Sequence, residues 1–161
     1  FERAVPRAAR AVGARGVHFE QLVGLPLESV AALGASGLEL VISVHDFGLF
    51  CLRPHLVERP RMRFCNYCRD PGRCARCLRH DWEVEEGFQE RRRAVARGLL
   101  AAAAAVVYPS DFLRRTYAEL VPGLEEARQQ VVEPPSVARP ARAPGIAPRR
   151  RVRHLAYVGA V

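Results

Sequence analysis

Leu38-Glu39-Leu40-Val41-Ile42-Ser43-Val44 reads as a β-strand, and from Leu40 onward its side chains are nearly all apolar rather than alternating. A strand with one wet face alternates polar and apolar residues, so an unbroken run requires cover on both faces, as in a parallel sheet flanked by helices. His45 and Asp46 stand where the run stops. In a parallel sheet this is the carboxyl end of a strand, where open α/β folds collect their ligand contacts. Both residues are therefore candidates for chemistry. The alternative is structural: a hydrogen-bonded histidine at a strand end, with Asp46 as its partner or as a cap.

Upstream, residues 2–12 have Val5, Ala8, Ala9 and Val12 on one helical face, with Gly13 and Gly16 ending the pattern. Val17 to Phe19 reads as a short strand, and Pro26 to Leu33 as a helix with Pro26 in its first turn and Gly34 at its exit. Downstream, the stretch 47–80 shows no period. From near Glu86 a helix places Phe88, Val95 and Leu99 on one face and Arg91, Arg92 and Arg93 on the other, the latter read as a solvated face. Val106 to Tyr108 is a further short strand. Ser110 then stands as helix cap with Asp111 in the first turn, ahead of an apolar stripe of Phe112, Leu113, Thr116, Tyr117 and Leu120. A strand over 130–132 follows. The five prolines between Glu133 and Arg149 give that stretch a linker composition, and Val152 to Val158 forms a last strand ending at Gly159. The fold class is thus α/β, a partial Rossmann-like parallel sheet flanked by helices and carrying a Cys-rich metal-binding insertion at 47–80. A strand followed by Gly-Ala-Val with no covering helix, together with the abrupt start at Phe1, is expected of an excerpt from a longer polypeptide.

At 161 residues and 49% apolar content the chain can bury an ordinary core and is not of the disordered class. Its formal charge is +8, and every one of its 25 basic residues is Arg. Uniform Arg usage looks like coding bias as much as selection for a surface, which disfavours a polynucleotide partner. A nucleotide, a phosphorylated substrate or a membrane surface suits the same charge. No signal-peptide pattern is present, and the longest apolar run, Gly98 to Tyr108, is too short to cross a bilayer.

Cys65-Asn66-Tyr67-Cys68 and Cys74-Ala75-Arg76-Cys77 are two Cys-x2-Cys hooks separated by five residues, with Asp70, Pro71 and Gly72 read as a tight turn between them. Two such hooks make a tetrahedral four-sulfur site, expected to hold a structural zinc, with an iron-sulfur centre as the all-thiolate alternative. Four thiolates around Zn2+ carry a formal charge of about −2, and Arg63, Arg69, Arg73, Arg76 and Arg79 surround them in sequence. A closed site leaves no position for water or substrate, so its role is to order a loop judged too poor in apolar residues to order itself. Cys51 is either a buried core cysteine or a ligand that displaces one of the four. Clustered thiols with an odd total point to a reducing, cytoplasmic compartment rather than to disulfides.

Taken in order, Gly16-Val17-His18-Phe19, Val44-His45-Asp46-Phe47 with Cys51, the cysteine cluster, Val107-Tyr108-Pro109-Ser110-Asp111-Phe112-Leu113 and Tyr157-Val158-Gly159 resemble the retaining glycosyltransferases built of two Rossmann-like domains (group 1, or family 4, type). The family's short strand carries an Asp where this chain has Arg-Gly. The resemblance implies an incomplete acceptor-side domain over 1–133, a linker over 134–150, and over 151–161 the first strand of a nucleotide-sugar-binding domain. It implies transfer of a sugar from a nucleotide sugar to an acceptor hydroxyl with retention at the anomeric carbon. It assigns His45 and Asp46 to catalysis and Ser110 and Gly159 to the donor side, and it allows a peripheral membrane or glycolipid contact. The competing reading is a non-catalytic zinc module for protein or nucleic acid, with Phe64 and Tyr67 as stacking aromatics.

Overall fold

The computed structural model describes residues 3–134. Most of the 134–150 linker, the strand expected over 151–161 and Gly159 lie outside the described residues. Four strands, β1 (Gly16–Phe19), β2 (Glu39–Ser43), β5 (Ala105–Tyr108) and β6 (Gln129–Val131), form one sheet in the order β1-β2-β5-β6. All neighbours are parallel, with Phe19 opposite Ile42, Ser43 opposite Val107, and Tyr108 opposite Val131. The continuous apolar run therefore meant what its composition requires. Leu40, Ile42, Ser43 and Val44 are buried, so β2 is covered on both faces. Parallel neighbours need long crossovers, supplied by α2 (Leu27–Gly34) between β1 and β2 and by α4 (Phe88–Ala102) and α5 (Asp111–Leu120) around β5.

Local chemistry accounts for most boundaries. Gly16 opens β1 because a Cβ there would stand 2.7 Å from the carbonyl oxygen of Glu39 on the paired strand. Gly37, at φ +82°, turns the chain between α2 and β2. Ser110 caps α5 as expected, its hydroxyl accepting from the Leu113 N–H at 3.3 Å. Pro26 stands just before α2 rather than inside it, and Gly34 is its last residue rather than its exit. In α1 (Ala4–Ala11) the buried residues are Pro6 and Ala9, whereas Ala8 and Val12 face solvent. Phe112 likewise departs from the expected stripe on α5. Leu113, Tyr117 and Leu120 are the buried residues there, and Phe112 is exposed.

The insertion differs most from expectation. It contains a small antiparallel pair, β3 (Val57–Glu58) and β4 (Arg63–Phe64), and a helix, α3 (Pro71–Leu78), where a turn was expected. Asp70 and Pro71 are helix-starting chemistry. The Asp70 carboxylate accepts from the Arg73 N–H, and Pro71 occupies the first helical position, where its missing N–H costs nothing. The insertion also supplies apolar residues of its own, since Leu49, Phe50 and Leu56 belong to the main core. Phe47, Phe50 and Phe64 pack around Tyr67, with ring centroids 5.1 to 6.4 Å away. Arg92 and Arg93 are not a solvated face. Arg92 donates to the Gly48 carbonyl, and Arg93 donates to the carbonyls of Phe50 and Cys68, so α4 clamps the insertion through its backbone.

Candidate functional site

Parallel pairing brings the carboxyl ends of β1, β2 and β5 to one edge of the sheet, and the polar residues that follow them meet there. His18 lies next to the end of β1 and Glu20 just beyond it; Ser43 ends β2 and His45 follows two residues later. The spacing 18, 20 and 43, 45 places each pair on one side of its strand. His18 Nε2 is 2.9 Å from Ser43 Oγ, and His18 Nδ1 is 3.2 Å from Glu20 Oε1. Glu20 Oε2 lies 3.6 Å from His45 Nε2, within ion-pair reach. A carboxylate only accepts, so Nδ1 is the nitrogen that donates toward Glu20, and Nε2 is left to pair with the Ser43 hydroxyl. Ser43 is buried, while the His18 and His45 side chains are 44% and 47% exposed and the Glu20 side chain is 68% exposed. The result is one carboxylate between two solvent-facing imidazoles, anchored to the sheet by a buried hydroxyl.

His45 therefore joins a cluster, but its sequence neighbour does something else. Asp46 Oδ1 accepts the Gly48 N–H at 2.6 Å, and its backbone carbonyl accepts the Tyr117 hydroxyl at 2.9 Å. Burial, with the nearby Asp46 charge, pushes the Tyr117 phenol well above its ordinary pKa and keeps it a donor. Asp46 thus holds the corner that presents His45. A small recess of about 10 Å³ beside it is lined by Gln21, Ser43, His45, Asp46 and Gly48, among others. Ser110 follows β5 on the same edge, its hydroxyl engaged in the helix cap. His18, Glu20 and Ser43 were not singled out as site residues in the sequence. The legible signal was the repeated polar-x-polar step at the end of two apolar strands.

The second concentration of chemistry is the insertion. Cys51, Cys65, Cys68, Cys74 and Cys77 all line one small cavity of about 20 Å³, and none is paired in a disulfide. Among the described residues, no three His, Cys, Asp or Glu side chains are already gathered closely enough to hold an ion, so the four-sulfur cage expected from spacing is not preformed. Burial, reinforced by the Cys68 thiol, pushes the Cys74 thiol up to about 12, against the pull of Arg93. Burial also raises Cys51. At the cavity wall Glu58 is buried and accepts from Arg73 and Arg63 at 2.7 to 3.3 Å. The Arg73 hydrogen bond foremost holds its carboxyl down to about 2. Of the two aromatics considered for base stacking, Tyr67 is committed to the ring cluster and Phe64 is 53% exposed.

No helix among the described residues is long and apolar enough to cross a membrane. Compared with known proteins, the chain matches no protein-family model, no curated protein and no solved structure.

Proposed function

We infer that this chain is the acceptor-side part of a glycosyltransferase that moves a sugar from a nucleotide-sugar donor to an acceptor hydroxyl with retention of configuration. The observation that carries the reading is the His18–Glu20–His45 array with Ser43 at the carboxyl ends of two adjacent parallel strands, the position where open α/β sheets bind ligands. Such transfer builds positive charge at the anomeric carbon and negative charge on the departing diphosphate. His45 is the group to hydrogen-bond a sugar hydroxyl at that centre. Glu20 orients its ring, and Asp46 positions it through the turn at Gly48 rather than by contact with the sugar. Ser110, at the start of α5, offers a helix amino terminus on the same edge, and Gly159 belongs to the proposed donor-binding part.

In this reading the insertion is a brace beside the acceptor cleft, holding a structural zinc through its thiols. Thiolate is the donor zinc prefers among those present, and Arg73 and Arg93 at the cavity favour the ionised sulfurs. Five free thiols suit a reducing, cytoplasmic setting. Exposed arginines would suit an anionic membrane surface or a glycolipid acceptor.

The test uses the natural polypeptide that carries this sequence, a panel of nucleotide sugars and release of nucleoside diphosphate as the readout. His45→Ala should lower turnover about 100-fold or more. Wild-type turnover in that variant would refute the assignment. No release from any donor, combined with polynucleotide binding that weakens steeply with salt, would favour the interaction-module reading instead.

A further inference from the structure

The sulfurs of the insertion are not equivalent. The Cys51 Sγ accepts the backbone N–H of Arg53, two residues on, at 3.4 Å, and the Cys77 Sγ accepts the backbone N–H of Arg59 at 3.3 Å. The Cys74 Sγ is approached by the Arg93 guanidinium at 3.8 Å. Donors aimed at sulfur stabilise it as thiolate and hold it in place, which is what the groups around a metal's ligands do. Among the described residues no such donor meets the sulfur of Cys65 or of Cys68, and Cys68 differs in how its backbone is held. Its carbonyl oxygen is the group in use, accepting from Arg93 at 2.9 Å and from the Cys74 thiol at 3.5 Å.

The surrounding framework draws Cys51 toward the other thiols. Arg53 Nη2 donates to the Cys77 carbonyl at 3.0 Å and forms an ion pair with Asp81, so the residue whose N–H serves Cys51 is tied to the end of α3. Cys65 is held by its N–H on the Leu56 carbonyl at 2.9 Å. Cys51, Cys65 and Cys77 line the same cavity, with Arg93 in its wall. Asn66 and Tyr67, both at positive φ, form the turn that separates Cys65 from Cys68, and the aromatic cluster holds Tyr67 there.

We propose that Cys51 is a metal ligand, forming with Cys65, Cys74 and Cys77 a four-thiolate site for a zinc-class ion, and that Cys68 remains outside the coordination sphere. This deepens the zinc-brace reading and rests on it. It replaces the two-hook ligand set with one in which the first ligand comes from just after the His45–Asp46 corner, so the ion links that corner to α3. Binding requires the sulfurs to close inward by side-chain rotation. The four thiols release their protons to solvent as the four sulfur–metal bonds form.

The experiment is zinc titration of the purified, reduced chain against a chromophoric chelator, with Cys51→Ser and Cys68→Ser in parallel. Wild type should take up one zinc per chain. Losing a ligand should weaken binding at least as much as losing a supporting partner, so Cys51→Ser should cost about 100-fold or more, while Cys68→Ser should bind as wild type does. A readout that needs no variant to fold is alkylation of the wild-type chain with and without zinc, mapped by mass spectrometry. Zinc should protect Cys51, Cys65, Cys74 and Cys77 and leave Cys68 reactive. Wild-type zinc affinity in Cys51→Ser, or Cys51 still alkylated in the zinc-loaded chain, overturns the proposal while leaving a metal site in place. Failure of the wild-type chain to take up zinc overturns the zinc brace itself.

Discussion

Replacing Arg93 by Met removes the guanidinium that pins the insertion to α4 while keeping much of its apolar length. Arg93 is 14% exposed, donates to the Phe50 and Cys68 carbonyls at 3.0 and 2.9 Å, and lies 4.1 Å over the Phe50 ring. Hydrogen bonds from a charged donor contribute about 1.5–3 kcal/mol each, and the ring contact about 1 kcal/mol more. Part of this survives the substitution, because the Phe50 carbonyl still accepts from Gln89 at 2.7 Å and Met refills apolar contact. A net loss of about 3 kcal/mol is therefore expected, which at a urea dependence of about 2 kcal/mol/M lowers the midpoint by about 1.5 M. Trp82, the single tryptophan, sits 4.7 Å from the Arg53 guanidinium at the end of the insertion and reports its unfolding. Far-ultraviolet circular dichroism reports the helices as a whole. In Arg93→Met the tryptophan transition should precede the circular-dichroism transition. Coincident transitions at the wild-type midpoint would refute the view that α4 holds the insertion through this side chain.

Glu58→Gln should remove an acid-sensitive contribution to stability. The Glu58 carboxyl is lowered from 4.5 to about 2 by Arg73 first and Arg63 second, so its pairing stabilises the fold fully above pH 4.5 and is lost as pH falls through about 2. The stability gap between wild type and Glu58→Gln, read from denaturation midpoints, should therefore narrow as pH drops through that window. A constant gap would show that the pair is not responsible. Ser110→Ala should cost about 1 kcal/mol through loss of the α5 cap. If turnover by the natural polypeptide that carries this sequence is unchanged after correction for folded fraction, Ser110 serves as a cap alone and its proposed donor-side assignment falls.

The strand core was legible because burial on both faces leaves a compositional mark that needs no partner to interpret. The same holds for the Ser110 cap, a contact made within four residues. The insertion was less legible. Its helix α3 is only eight residues long and Arg-rich, and the Asp70-Pro71 start was consistent with either a turn or a helix. Arg92 and Arg93 read as a wet face because helical period reports which residues share a side, whereas what that side meets here is the backbone of residues 48–68, distant in sequence.

Leu38 to Val44 by itself determined that this chain builds a parallel sheet covered on both faces, and that His45 and Asp46 stand at a strand's carboxyl end. Solvent exclusion acts residue by residue, so sequence can carry that information. Only the tertiary structure decided what those residues do. Strand pairing brought Glu20 to His45, and packing of α5 brought the Tyr117 hydroxyl to the Asp46 carbonyl. Packing of the insertion against α4 brought Cys51 into the same cavity as the two hooks. Such contacts join segments separated by roughly twenty to seventy positions, as loop closure readily permits. Their geometry comes from register and packing, which no local pattern encodes.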